Sequence, residues 1–245
     1  MARTAEGAAL TAQHTRQQLA LRAGLIRDLQ AVWPLWAVGE VAEFSAFLDV
    51  AVSLIQAGHT DSAAIAARYF RQFRAAEDVA GTAEPRLAPR LNPADIAASL
   101  RATGLAGTMR ALRAGHSPQA ASRAGFVLAQ ASATRLALSG GRDTVTASSQ
   151  RDGRAQGWIR VASGNACAFC AMLASRGNAY TRERGAAFQA HDGCGCSPEP
   201  FYAGSRLPAT SERYARLWEQ SRDVDVSDTD TKHPALTAFR RLIEG

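Results

Sequence analysis

Leu21-Arg-Ala-Gly-Leu25-Ile-Arg-Asp-Leu29-Gln-Ala-Val32-Trp33-Pro34-Leu-Trp36 sets its apolar residues at three- and four-residue steps. That spacing puts Leu21, Leu25, Leu29, Val32, Trp33 and Trp36 on one stripe of a helix. Pro34 lacks an N–H and clashes with the turn before it, so the helix should kink or end near Val32 or Trp33. A second stripe, Val41, Phe44, Phe47, Leu48, Ala51, Leu54 and Ile55, predicts a helix that stops at Gly58. Asp61 or Ser62 would cap a third, carrying Ile65, Tyr69, Phe70 and Phe73.

Residues 80–90 contain two prolines and little periodicity, as a linker would. Asn92-Pro93 and Ser117-Pro118 each pair a capping side chain with proline at the first helical position. The second should lead a helix to about Ser139, ended by Gly140-Gly141, with Gly104 and Gly115 dividing the pieces between. Residues 142–157 are polar, rich in Ser and Thr, and aperiodic, whereas Trp158-Ile-Arg-Val161 alternates like a strand. Residues 212–220 and 236–243 suggest two further helices, separated by the acidic stretch 223–230, read as a solvated linker. The fold class expected is mainly α: a helical domain over 1–140, a small α+β Cys/His-rich module over 141–206, and a helical tail over 207–245. The tryptophans on the stripes are read as core.

Of the 245 residues, 47% are hydrophobic and 20% charged, an ordinary globular composition. No run of eighteen uninterrupted apolar residues predicts a membrane span, and the first residues lack the apolar stretch of a secretory signal. Synthesis in a cytoplasm is the expectation. The net charge is +6 and Lys232 is the sole lysine. Such an arginine excess attracts polyanions weakly, but no basic run of five residues marks a dedicated nucleic-acid site.

All four cysteines fall within thirty residues, as Cys167-Ala-Phe-Cys170 and His191-Asp-Gly-Cys194-Gly-Cys196, with Tyr180 between. Two close ligand pairs separated by a loop are how small zinc modules are written, each pair on a tight turn and both folded around one tetrahedral ion. Gly193 and Gly195 would let the chain turn sharply enough for Cys194 and Cys196 to face one centre. The candidate ligands are Cys167, Cys170, His191, Cys194 and Cys196: five for four places. An all-cysteine site beside His191 and a site of three cysteines plus His191 both satisfy zinc. Two disulfides, which an oxidising environment rather than a cytoplasm would hold, or four inert thiols are the other arrangements. Cys167 or Cys170 with His191 also has the residue types of a nucleophilic pair. No third group is nominated to complete it, no nucleophile elbow surrounds Ser163, and no Gly-rich phosphate loop follows a strand. No catalytic residue is therefore assigned. His14, His59, His116 and His233 stand singly and are read as solvated or capping.

The stretch Trp158 to Cys170, then Leu173-Ala-Ser-Arg-Gly177, Tyr180 and His191 to Cys196, resembles the Mu F-like minor head proteins of actinobacterial phages and prophages. Ser62 to Arg74 is similar to their N-terminal region. The resemblance implies a low-copy virion component acting in head morphogenesis, located in the capsid interior. Its partners would be the portal and the major capsid or scaffold proteins, with weak contact to packaged DNA and no small-molecule substrate. The rival readings are a capsid-maturation protease, which some relatives carry as a fusion, and a zinc-ribbon-like nucleic-acid-binding protein of the host.

Overall fold

The computed structural model describes residues 2–36, 38, 40–162, 166–181 and 187–244. Ser163, and with it Gly164-Asn165 of the motif stretch, lies outside them. The fold is mainly α, a helical N-terminal part followed by a small α+β module rich in Cys and His.

Helix α1 spans Ala5–Val32, and the Thr4 hydroxyl caps it by accepting from Gly7 N at 2.9 Å. Pro34 ends it in a single 3-10 turn, Trp33–Leu35, as the missing N–H requires. Helix α2 runs unbroken over Phe44–Ala76. The stop expected at Gly58 does not occur, because Gly58 is a packing residue. A methyl there would sit 3.3 Å from Ala137 Cβ, so the missing side chain brings two helices together. By length and composition α2 is apolar enough to cross a bilayer. Here its apolar face meets α1 and helix α5 (Pro118–Arg151), with Ala51, Ile55, Ala66, Phe70 and Phe73 fully buried.

Residues 80–92 form the expected irregular connection, tied down where Arg86 N and Ala88 N donate to Ser148 Oγ and Thr144 Oγ1. Asn92 caps helix α3 (Pro93–Leu100). A wide turn over Arg101–Leu105 carries α3 directly into α4 (Ala106–Arg113), so Gly104 lies inside the helical run rather than dividing it. Gly115, with φ +84°, does end it. Ser117 caps α5, which continues through Gly140-Gly141 to Arg151, correcting the end expected near Ser139. A Cβ on Gly140 would overlap the His59 carbonyl of α2; glycine here permits a close crossing instead of breaking the helix. From Arg142 to Arg151 the polar stretch after it, read as irregular, is mostly buried helix. Its hydroxyls bond back to their own turn, Ser148 Oγ to Thr144 O at 2.6 Å and Ser149 Oγ to Val145 O at 2.8 Å. That removes the desolvation cost that makes a Ser/Thr-rich segment look exposed.

Around this three-helix core cluster Leu25, Leu29, Trp33, Trp36, Phe44, Phe47, Ile55, Ile96 and Leu100. Both tryptophans are core, their indole N–H groups donating to Ser122 Oγ and Glu40 O at 2.9 Å.

Strand β1 (Ala155–Val161) contains the expected Trp158-to-Val161 segment and is the middle of an antiparallel sheet. It pairs with β2 (Tyr180–Thr181) on one side and β3 (Ser197–Tyr202) on the other. Pro198 and Pro200 lie opposite Arg160 and Trp158 on the edge strand, the position at which a residue without an N–H is tolerated. A buried ion pair joins the ends of the core to this sheet: Arg74 Nε meets Asp152 Oδ2 at 3.0 Å, and Tyr202 donates to the same oxygen. Helices α6 (Ala168–Ser175), α7 (Ala209–Gln220) and α8 (Pro234–Glu244) pack together around Ala171, Ala174, Tyr214 and Phe239. The acidic stretch between α7 and α8 is mostly exposed, as expected, and is pinned by Arg241 bonding to Asp225 O and Asp228 Oδ1.

Candidate metal centre

Cys167 is the N-cap of α6 and Cys170 sits in its first turn, so the Cys-x-x-Cys spacing puts both thiols at one helix N-terminus. Partial positive charge there favours thiolate over thiol. The second half of the cluster is a four-residue turn closed by Cys194 N donating to His191 O at 3.1 Å, with Gly193 at φ +77°. The demand for left-handed backbone falls on Gly193 alone; Gly195 does not share it.

Folding brings all five candidates together. His191 Nε2 lies 3.1 Å from both Cys167 Sγ and Cys170 Sγ, and Cys170 Sγ lies 3.4 Å from Cys194 Sγ. Two triads result, Cys167–Cys170–His191 and Cys170–Cys194–Cys196, with donor atoms within 4.8 Å of one another in each. Zinc with bonds of about 2.3 Å to sulfur and 2.0 Å to nitrogen sets tetrahedral edges of roughly 3.5 Å. The three contacts of 3.1–3.4 Å need only a few tenths of an ångström of expansion to match, whereas donors drawn from both triads lie further apart and must close in to complete a four-ligand shell. No disulfide joins the four cysteines; Cys167 is exposed and the other three are buried. The hydrogen bond between Cys170, shared by both triads, and Cys194 holds the Cys194 thiol well below the ordinary range and raises Cys170. His191 Nδ1 faces Asp192 O at 2.7 Å, orienting Nε2 toward sulfur.

Sequence reasoning did not nominate the groups that hold this loop. Arg142 of α5, in the stretch read as irregular, is 4% exposed and donates to Cys194 O at 2.6 Å and Cys196 O at 3.1 Å. Arg135 pairs with Asp192 at 2.6 Å, and Gly193 N reaches Ala131 O of the same helix. Arg160 of β1 lies 3.8 Å over the Phe188 ring, with Arg142 at 5.3 Å from it. Among the described residues neither buried arginine has a carboxylate in ion-pair range. Burial lowers the Arg142 pKa, and the neighbouring Cys194 and Cys196 sulfurs oppose that shift. Zinc bound by three or four thiolates carries a formal negative charge, which suits two buried cations. Tyr180, singled out with the motif, is a wall: it stacks on Trp158 at 4.1 Å and donates to Leu173 O.

Two of the single histidines differ from expectation. His14 and His59 are buried in mid-helix, and His14 stacks on Tyr69 at 4.3 Å. His116 and His233 are exposed.

The VG15 protein family matches residues 6–221, which takes in the helical core, the sheet and the Cys/His centre. The chain belongs to the VG15 family. It is therefore a phage protein. No curated protein and no solved structure matches this VG15 chain.

Proposed function

We propose that this VG15-family protein is a minor head protein of a tailed phage or prophage. It acts in head assembly through contacts with the portal and the major capsid or scaffold proteins, and resides in the capsid interior. The observation that carries the reading is the way the Cys/His loop is used. It is clamped to α5 by Arg142, by Arg135–Asp192 and by Gly193 N, which is how a mechanical staple is built. The phage family and the resemblance of the Cys/His stretch to Mu F-like minor head proteins support it. The staple is a structural zinc ion, with Cys170 a ligand whichever of the other four complete the shell. Membership of a phage family weighs against the host zinc-ribbon protein.

Mass spectrometry of purified virions tests the role. The protein should be present at far lower copy number than the major capsid protein, and a nonsense mutant should yield few infectious heads. Absence from virions together with normal heads in the mutant would remove the assignment. Metal analysis with thiol titration tests the staple. About one zinc per chain, with thiols reactive only after chelation, is expected. Metal-free protein lacking free thiols would replace zinc with disulfides. The 3.1 Å Cys–His contacts are the feature a capsid-maturation protease would use. That rival gains only if a head protein stays uncleaved in a Cys170→Ser phage whose heads still assemble.

A further inference from the structure

Five donors converge where a tetrahedral ion takes four, and the ring of His191 decides between an all-cysteine shell and a mixed one. Its Nδ1 lies 2.7 Å from Asp192 O. A carbonyl oxygen only accepts, so Nδ1 carries the proton and Nε2 presents its lone pair. That lone pair faces Cys167 Sγ and Cys170 Sγ, both at 3.1 Å. A zinc-bound imidazole almost always donates its other N–H in this way, to a carbonyl or carboxylate. As a bystander beside four thiolates the ring has no satisfied state. This tautomer sets a lone pair against two anionic sulfurs, and the opposite one sets the Nδ1 lone pair against the Asp192 carbonyl. A doubly protonated ring would bring a cation to the positive N-terminus of α6.

Helix α5 holds the ring in this pose. Arg135 pairs with the Asp192 carboxylate at 2.6 Å and Gly193 N donates to Ala131 O, so the backbone carrying the accepting carbonyl is anchored twice. Phe169, between the two cysteines of α6, meets the ring edge-on at 6.0 Å. The other two cysteines are not equivalent. Cys194 Sγ lies 3.4 Å from Cys170 Sγ, close to a tetrahedral edge. Cys196 groups with Cys170 and Cys194 but leads into β3, and it borders the small cavity that His14, Leu138 and Arg142 line between α1 and α5.

We infer that the zinc shell is Cys167, Cys170, Cys194 and His191 through Nε2, with Cys196 a buried thiol outside it. This set begins with the His191–Cys167, His191–Cys170 and Cys170–Cys194 edges near tetrahedral length, and closes when Cys194 moves in toward Cys167 and His191. An all-cysteine shell would instead need Cys167 to close on both Cys194 and Cys196, abandoning the two short contacts to His191. The assignment rests on the zinc staple proposed above and names its ligands.

X-ray absorption at the zinc edge, on the zinc-loaded full chain, reads the shell without any substitution. Three sulfurs at about 2.3 Å and one nitrogen at about 2.0 Å are expected, and four sulfurs would overturn the assignment. Competition with a chromophoric chelator then ranks the donors. Losing an outer-shell partner costs roughly 10–100-fold in metal affinity, and losing a ligand should cost more. His191→Ala and Cys194→Ser should each weaken zinc binding by more than about 100-fold and Cys196→Ser by less, the last keeping its three sulfurs and one nitrogen. Any of the three on the other side of that boundary would overturn this ligand set. Far-UV circular dichroism, dominated by the helical core, checks that each variant is folded. Cys196→Ala replaces the serine variant if that one is not, and the wild-type spectrum stands whatever a variant does. Wild type that binds no zinc would sink the staple itself, whereas a four-sulfur shell would leave the staple intact, so the two failures are distinct.

Discussion

The helical core and the Cys/His module solve the problem of staying folded by different means. In the core, large side chains do the work: Trp33 packs edge-on to Phe47 at 4.9 Å, and Leu29, Phe44, Phe47 and Ile55 are essentially sealed from water. Each such side chain contributes roughly 1.5–3 kcal/mol by leaving water, so this region needs no further device. Around the module, Trp158, Tyr180 and Phe188 are joined mainly by cysteines. Thiols bury little apolar area, and arginine carbonyl contacts hold the loop in place of apolar packing. A region with so small an apolar core gains most from the zinc staple proposed above. The contrast predicts that the two regions fail separately.

The variant Cys170→Ser breaks the comparison most directly, because it removes the ligand common to both triads. Zinc affinity should fall by orders of magnitude, and hydrogen exchange over residues 155–202 should accelerate while α2 stays protected. Equal loss of protection in α2 would show that the two regions are one cooperative unit. Gly140→Val strikes the other side, driving a branched side chain into the His59 carbonyl. About 3 kcal/mol or more of stability should be lost in urea unfolding, with zinc still bound by the folded fraction. A change below 1 kcal/mol would show that the α2–α5 crossing can relax.

A smaller effect comes from His14. Its pKa falls from 6.5 to about 4 because burial penalises the imidazolium. Between those two pH values the unfolded chain binds a proton that the folded chain does not, so stability declines as pH falls through this window. From pH 7 to 4.5 the decline should be about 2–3 kcal/mol larger in wild type than in His14→Gln, both measured by urea unfolding. Parallel pH profiles would dismiss His14 as the source. Acid release of zinc affects both proteins and cancels in the difference. Arg241→Ala cuts an exposed tie to Asp228 and should alter stability by no more than about 0.5 kcal/mol. A larger drop in melting temperature would make the C-terminal helices part of the core's cooperative unit.

Much of this architecture was legible in local chemistry. The Pro34 stop, the Asn92-Pro93 and Ser117-Pro118 caps, and the Cys-x-x-Cys and His-x-x-Cys-x-Cys pairs act within a turn or two of chain, so their neighbours in sequence are their neighbours in space. What misled was glycine and polarity. Gly58 and Gly140 look like helix ends, yet each marks a place where another helix comes close, and nothing local distinguishes the two uses. The Ser/Thr-rich stretch after Gly141 looks solvated because its hydroxyls are polar, and only a helical backbone supplies the carbonyls that satisfy them.

The sequence by itself determined that the chain is helical first and gathers its Cys and His residues second, because periodicity, caps and ligand spacing are properties of short segments. The tertiary structure decided that α5 passes through its glycines, that the loop from His191 to Cys196 lies on it, and that Arg142 and Arg160 flank the thiols. Those are relations between residues tens of positions apart, set by which surfaces exclude water together.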